Sequence, residues 1–570
     1  MISVNTSRPP VTYAGWLDDS KNFSRIRQGD FPRLASAHKA AIASPNPTSS
    51  GGKEMTIELP AVEERASHRP LGPSEVRDSR RPLGPRVGPE DGERDSHRPP
   101  GPPAGPPPDV WVYKGRAYDL SDWISKHPGG AFFIGRTKNR DITSIIQAYH
   151  KNPEAIERVL ERYALDREAR PEDVHPKCNA PEFLFKEDFN SWRDTPRYRF
   201  DNKDDLLHRV KARLKDPALA ARIKKMDKIF NMVVVGLAVA YVAVQGLRLA
   251  EPGWMPLPLF VIAMVLLRCS LAGFGHYAIH RRQKGLTRLF ANAFDINYVA
   301  LGLVTADGHT LLHHPHTQSE VDIKKNVFTM MMRLPRLLRI PVHTIHKFGH
   351  MVTGMPVRIL DVVRITRKIG VKEVYGTWRN AIAHIIGSAG LRVLLIGELV
   401  AFLLAGEFWA WALQFVATLW VSTFLIVSSH DFEDDSDEEL ATDNDDWGIH
   451  QLTEAHDLKV VGNRYVDCFL SAGLSSHRAH HVLPYQRSGF ANIATEDVLR
   501  EEAARFSLEW LPAKSFVTDR LPKLCRTYLL SPSRQAEEQQ WGFIREHSSP
   551  KAWKASITYA ASGFAGLGSV

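Results

Sequence analysis

Four long apolar stretches, arranged in two pairs, restrict this chain more than any other feature. Ile229–Leu249 and Trp254–Phe274 are each 21 residues long, which as a helix is about what a hydrocarbon core of roughly 30 Å requires. Ala381–Ala405 and Phe408–Ser429 make the second pair, and the connectors inside the pairs are only AEPG (250–253) and GE (406–407). Connectors that short predict two transmembrane hairpins. The competing reading is a soluble bundle of buried helices, but soluble helices seldom run beyond about 20 residues without a polar face. Three charges interrupt the spans, Arg268, Arg392 and Glu398, and such groups are expected to face the bundle interior. The segment between the hairpins carries Arg281, Arg282, Lys284, Lys324, Lys325, Arg333, Arg336 and Arg339, whereas the tight connectors carry only Glu251 and Glu407. Positive charge stays inside, so the long loop and both termini are expected on the cytoplasmic side. Within that loop VFTMMMRLPRLLRI (327–340) reads equally as an interfacial helix with arginines toward lipid phosphates or as a core helix.

The rest of the chain divides by composition. Residues 1–108 read as a disordered Pro/Arg/Gly-rich region: 13 of the 37 prolines lie between Pro60 and Pro108, and SHRPLGP (67–73) returns as SRRPLGP (79–85) and SHRPPGP (96–102). Such a tract buries too little apolar surface to offset its ordering entropy. The first 30 residues contain no apolar core of a secretory signal. From 109 to about 170 the pattern is that of a small α+β domain, with WVYKGRAYDL alternating like a strand and AIERVLERYAL amphipathic like a helix. Residues 171–228 read as linker and pre-membrane helices, and 511–570 as a C-terminal tail. The net charge of +9 does not gather on an aromatic-interleaved face, so no nucleic-acid partner is implied. Cys178, Cys269, Cys468 and Cys525 have no CxxC spacing and indicate neither disulfides nor a thiolate zinc site.

Histidines gather immediately beyond the spans. HYAIH places His276 and His280 at i and i+4, on one face of a helix, where two imidazoles reach a common metal. HTLLHH repeats the device with His309 and His313 and adds His314, rotated by about 100° on an α-helix. HRAHH supplies His477, His480 and His481. Eight ligands in three boxes could surround two metals at the membrane face. Imidazole suits zinc, copper, iron and nickel alike, so ligand type leaves the metal open.

A further pair of histidines lies in the α+β domain, where DWISKHPGGAFF (122–133) is followed 23 residues after His127 by His150 in SIIQAYHKNPEA. With VYKGRAYDLSDW before it, this stretch resembles a cytochrome b5 domain. The resemblance implies haem b with His127 and His150 as its axial ligands. Such an iron passes electrons and has no open position for oxygen. The domain holds nine Lys and Arg against seven Asp and Glu over 109–165, where family members commonly show an acidic docking surface. A one-electron carrier fused to zinc would have nothing to reduce, so iron with dioxygen becomes the economical choice for the histidine boxes.

The boxes themselves, together with HHPHTQSEVDI (313–323) and HHVLP (480–484), resemble those of the membrane fatty acid desaturases over about residues 205–510. The resemblance implies a mainly α-helical integral membrane domain (229–510) with four transmembrane helices and a cytoplasmic helical cap carrying the boxes. It also implies a further ligand before the third box. His430, in VSSHDFED, fills that role ahead of His346, His350, His450 and His456. His316, beyond a proline that should end its helix, and Trp447 and Gln451 in DNDDWGIHQ are expected to support the ligands from behind or, for His316, to lie at the surface.

The implied reaction introduces a double bond into a fatty acyl chain at two non-haem irons, with dioxygen as co-substrate. Electrons come from NAD(P)H indirectly, through a cytochrome b5 reductase or an equivalent donor. The implied setting is the endoplasmic reticulum membrane, or the cytoplasmic membrane of a bacterium. Relatives with a fused cytochrome b5 domain are often front-end desaturases whose third box begins with glutamine; this chain has His477 there. A hydroxylase or acetylenase of the same superfamily is the nearest alternative outcome, and a non-catalytic haem carrier with structural zinc is the alternative from another class.

Overall fold

The computed structural model describes residues 109–170, 173–174, 198–280, 290–291, 293–294, 304–318, 322, 331–368, 370–371, 375–430 and 445–564. The Pro-rich region 1–108, Cys178, Arg281, Arg282, Lys284, Lys324 and Lys325 fall outside them.

Lys114 and Gly115 both take positive φ, 47° and 74°, the two-residue turn whose twist suits a tight antiparallel hairpin. It joins β1 (Trp111–Tyr113) to β2 (Arg116–Tyr118), and β3 (Ala164–Glu168) pairs antiparallel along the other edge of β2. Three short helices complete this unit: α1 (Ala131–Gly135), α2 (Thr143–Tyr149) and α3 (Pro153–Leu160). Asn152 caps α3 by accepting from the Ala155 amide at 3.2 Å, and Pro153 opens its first turn. The amphipathic pattern of AIERVLERYAL suggests a helix to Leu165, but α3 stops at Leu160. Ala164 instead pairs with Tyr118, because the third strand is needed to close the sheet over Trp111, Tyr118 and Leu160.

The larger unit begins with α4 (Leu206–Arg213), in the stretch expected as linker and pre-membrane helices. Leu206, Leu207 and Val210 are fully buried against Trp447, Ala479 and Val482, beside the third histidine box. Asp216 then caps α5 (Pro217–Ala250) by accepting from the Leu219 amide at 2.8 Å. At 34 residues, α5 is roughly 50 Å long, so it extends well beyond any hydrocarbon core at its basic N-terminal end. It is followed by α6 (Leu257–Ile279), α7 (Arg339–Lys368), α8 (Trp378–Leu404) and α9 (Phe408–Ser428). Among the described residues, α5, α6 and α9 are long and apolar enough to cross a membrane; α8 is a continuous helix of 27 residues. Their outer faces expose Val239, Val242, Ile262 and Trp409, each more than half accessible, an apolar belt that water would not tolerate.

The interrupting charges turn inward. Arg268 is paired with Glu398 and donates to Gln414 Oε1 at 3.0 Å; Tyr241 and Gln245 also donate to Glu398. Arg392 donates to the His350 carbonyl at 3.3 Å. At the opposite end from the histidines, Arg248 donates to Glu407 at 3.1 Å and ties one hairpin connector to the other helix pair.

Two arginines of 327–340, Arg336 and Arg339, turn into the protein. Arg339 is fully buried, donating to the carbonyls of Leu334, Tyr528 and Pro532, and Arg336 binds the buried carboxylate of Glu546. Their partners come from the segment expected as a tail. Residues after 511 run back over the domain, and the helix Pro550–Phe564 packs along α7 through Tyr559 on His343 and His346. Between α9 and that segment lie α10 (Trp447–Thr453), α11 (His477–Val482) and α12 (Gly489–Arg505).

Candidate metal centre

His127 follows a short helical turn and precedes Pro-Gly-Gly. The turn is dictated by the imidazole: a Cβ on Gly129 would lie 2.6 Å from His127 Cε1, and Gly130 has φ of 112°, a conformation natural only to glycine. His127 Nδ1 bonds the Gly130 carbonyl at 3.0 Å, and His150 Nδ1 bonds the Ile146 carbonyl at 3.1 Å. Both Nε2 atoms are thereby left for the space between the rings, whose centroids are 6.3 Å apart. Two metal–imidazole bonds of about 2 Å in line give roughly this separation. Leu120, Phe133, Ile142, Ile146 and Leu160 line the same cavity of about 1050 Å³, an apolar crevice that fits a porphyrin. Burial first, then the charges of His127 and Lys211, pushes His150 down to about 4, so its ring is neutral and can ligate.

The far wall of that cavity is formed by Phe274, His280, Thr310 and Leu311, which leads to the boxes. His276 and His280 stand one turn apart at the end of α6. The helix reaches this position because Gly275 lies against the Phe294 carbonyl, where a Cβ would sit 1.9 Å from the oxygen. The second box is not α-helical. Val304–His313 forms a π-helix, and the His314 amide bonds the His309 carbonyl at 3.2 Å across five residues. His309 and His314 therefore share a face, and His313 is released to another. The α-helical expectation that His309 and His313 point at one metal is corrected accordingly.

Two groups result. His276, His280, His309, His314 and His480 have donor atoms within 4.8 Å of one another, with Nε2 of His309 3.1 Å from that of His276 and 3.2 Å from that of His314. His313, His430 and His481 form the second group by the same measure. His477 joins it, with its Nε2 3.1 Å from His481 Nε2 and its ring 4.8 Å from His430. The groups adjoin, since His314 stacks on His481 at 4.3 Å. All nine rings are at least nine-tenths buried, and among the described residues no carboxylate belongs to either group. Burial, and then neighbouring imidazoles, holds His314, His477, His480 and His481 well below the usual histidine range and His430 down to about 3. Buried imidazoles held in their uncharged form are the donor set of a cation. Both ring nitrogens of His480 have no hydrogen-bond partner among the described residues, a heavy cost for a buried polar ring unless a metal takes the lone pair.

Backing groups fix the second set. Asp322 Oδ2 bonds His313 Nδ1 at 2.9 Å, Gln451 Oε1 bonds His481 Nδ1 at 2.9 Å, and the carbonyls of Glu454 and Ser429 hold Nδ1 of His430 and His477 at 2.8 and 3.2 Å. Each bond turns Nε2 toward the centre. Trp447 donates to the Pro315 carbonyl at 3.1 Å and anchors the turn after the second box. His316 is buried in that turn, not at the surface, and burial together with Arg140 pushes it down to about 4. The competitors of His430 lie elsewhere: His450 bonds the Thr317 carbonyl, His456 bonds Lys514, and His346 and His350 pack near Tyr559. Two contributors were not singled out from sequence. Asp322 lies within HHPHTQSEVDI, where it and Glu320 are the two carboxylates. Tyr149, beside His150, carried no local signal.

Tyr149 donates its hydroxyl to the Thr310 carbonyl at 2.9 Å and has its oxygen 3.2 Å from His280 Nδ1. With its single proton given to the carbonyl, the oxygen can only accept from His280. His280 is thus protonated at Nδ1, with Nε2 unprotonated toward its group.

The "Fatty acid desaturase" family model matches residues 252–504, and the "Cytochrome b5-like Heme/Steroid binding domain" model matches residues 103–167. Among similar proteins, the Delta(5) fatty acid desaturase A of Dictyostelium discoideum is 23% identical over 412 residues, covering 66% of this chain and 81% of the relative. The chloroplastic acyl-lipid (7-3)-desaturase of Chlamydomonas reinhardtii is 23% identical over 398 residues, 65% and 70% of the two chains. A cytochrome b5-related protein of Drosophila melanogaster is 26% identical over 223 residues, 39% and 43% of the two. No solved structure matches. With both models falling on the units that carry the two histidine constellations, the chain carries a fatty acid desaturase domain over residues 252–504 behind a cytochrome b5-like domain over residues 103–167.

Proposed function

We propose that the chain introduces a double bond into the acyl chain of a lipid, using dioxygen at two non-haem irons. One iron would be held by His276, His280, His309, His314 and His480, the other by His313, His430, His477 and His481; His127 and His150 would hold haem b. The observation that carries this reading is the pair of adjoining groups of buried histidines, with no carboxylate among their donor atoms, beside the haem crevice. Iron suits it better than zinc, which could not accept the electrons that a haem domain brings. When bound, the two irons supply the oxygen chemistry that removes two hydrogens from adjacent methylenes and leaves water.

The chain's own groups prepare for that chemistry. Asp322, Gln451 and the carbonyls of Ser429 and Glu454 hold four rings in one orientation, and the buried side chains of Leu311, Leu312 and Val482 keep water away. A dry, rigid site is what abstraction from an unactivated methylene requires. The acyl substrate is supported by two of the relatives, which are a fatty acid desaturase and an acyl-lipid desaturase. We further propose four spans, α5, α6, α8 and α9, in two hairpins with the histidine cap and both termini on the cytoplasmic side. A cytochrome b5 reductase or an equivalent NAD(P)H-dependent donor would reduce the haem.

Expression in a host of known lipid composition, with product analysis by mass spectrometry, tests the reading. A new double bond is expected, lost in His313→Ala while the haem spectrum persists. A gain of oxygen mass in the acyl chain would show a hydroxylase instead. Zinc in place of about two non-haem irons per chain would remove the catalytic reading altogether.

A further inference from the structure

The fused haem domain is held against the desaturase domain by its ligand-bearing helix. Lys211 of α4 donates to the Gln147 carbonyl and, at 3.0 Å, to the carbonyl of His150 itself. Ala148 is fully buried in the same core as Leu207 and Val482. On another side Gly376 sits against Ala131, where a Cβ would be 3.2 Å from the alanine methyl, and Phe132 packs 6.4 Å from Tyr375. Between these contacts the chain passes from Tyr149 to His150. One residue is the candidate haem ligand; the other stacks on the candidate iron ligand His280, with ring centroids 5.8 Å apart and planes 23° apart.

Resting on the function proposed above, we infer that Tyr149 couples the two metal centres: electrons leave the haem at His150 and reach the His276–His280–His309–His314–His480 group through the Tyr149–His280 hydrogen bond. The route is one peptide linkage and one hydrogen bond, and it runs along a cavity lined by His127, His150, Tyr149 and His280 together. In each passage ferrous haem is oxidised by one electron and one non-haem ferric ion is reduced by one. The second electron repeats the step after the reductase has restored the haem. Tyr149 is a positioning residue in this scheme. It neither gains nor loses a bond, and the Thr310 carbonyl keeps its proton in place. The geometry also makes the fused domain a built-in, docked donor and not a carrier that must diffuse on its tether.

The test uses the full chain in lipid nanodiscs, loaded with haem and iron. Ferrous haem is mixed with oxygen and acyl substrate, and its reoxidation is followed by its absorbance and normalised to non-haem iron content. Tyr149→Phe is expected to keep the haem spectrum and slow this reoxidation by roughly 10- to 100-fold, the range seen when groups backing a metal ligand are removed. Single turnover after direct chemical reduction of the irons should still give product. Should Tyr149→Phe not fold, Lys211→Met, which removes the latch on Gln147 and His150 that holds Tyr149 against His280, should show the same split. Reoxidation at the wild-type rate per iron in either folded variant overturns the route. A wild-type chain that holds no non-haem iron overturns instead the function on which the route rests.

Discussion

Gly129→Ala probes the proposed haem ligand His127 by a single methyl. The new Cβ would stand 2.6 Å from His127 Cε1, 3.2 Å from Nδ1 and 3.3 Å from Nε2, whereas ordinary contact begins near 3.4 Å. The imidazole must therefore retreat by about 0.8 Å along the closest approach. It cannot do so freely, because Nδ1 is held by the Gly130 carbonyl at 3.0 Å and Gly130 has a φ of 112° that fixes the carbonyl. A metal–imidazole bond of about 2.0 Å does not survive a stretch of that size, so the second axial ligand is lost while His150 stays. Titration of the apo chain with haem, read by absorbance, should show a five-coordinate spectrum in place of the six-coordinate low-spin one and affinity weaker by at least about 10-fold. Non-haem iron content should be unchanged, since neither histidine group touches Gly129. Stoichiometric haem with an unaltered six-coordinate spectrum would refute the assignment of His127 and the reason given for the Pro-Gly-Gly turn.

Other consequences follow from the same contacts. Asp322→Asn keeps the shape but weakens the acceptor on His313 Nδ1, and iron affinity of the chain should fall by roughly 10- to 100-fold in chelator competition, with the haem spectrum intact. Arg268→Met leaves Glu398 as an uncompensated buried charge and should cost about 3–5 kcal/mol in detergent unfolding, while adding Glu398→Gln should recover much of it; equal losses in both variants would mean that the pair is not coupled. His346 is held down to about 4 by burial and then by Lys347. The unfolded chain, with a histidine pKa near 6.5, binds a proton that the fold refuses, so this contribution to stability is complete above about pH 6.5 and shrinks as pH falls, by about 2 kcal/mol at pH 5. Replacing His346 with Asn should flatten that part of the stability–pH curve, and an unchanged slope would contradict it.

What could be read from the sequence was what local spacing encodes. The apolar helices and the i, i+4 pairs His276–His280 and His477–His481 depend only on neighbouring residues, and the rings of the latter pair lie 4.4 Å apart. His430 needed the resemblance as well, since nothing around VSSHDFED distinguishes it from His450 or His456. The misses are of another kind. α4 looks polar because its buried Leu206, Leu207 and Val210 are flanked by His208, Arg209 and Lys211, and only docking against α12 and the third box reveals its apolar side. The segment after 511 looks like a tail because its anchors are single residues such as Arg520, which donates to the Ser428 carbonyl at 2.9 Å. Tyr149 acquires its role through His280, 131 positions away; no window along the chain contains both.

The π-helix shows why the double histidines recur. Successive residues on an α-helix diverge by about 100°, so the rings of an HH pair cannot converge on one ion. His480 and His481 have ring centroids 6.0 Å apart and planes at 86°, and His480 belongs to one group and His481 to the other. The same division holds for His314 and His313, with planes at 68°. In the third box α-helical spacing supplies His477 as the partner of His481. In the second box the corresponding partner of His314 lies five residues back at His309, and only a π-helical turn can put it there. An HH pair in such a box is thus a mark of two adjoining centres, and the residue three or four places before the pair does not by itself say which centre it serves; the helix type decides.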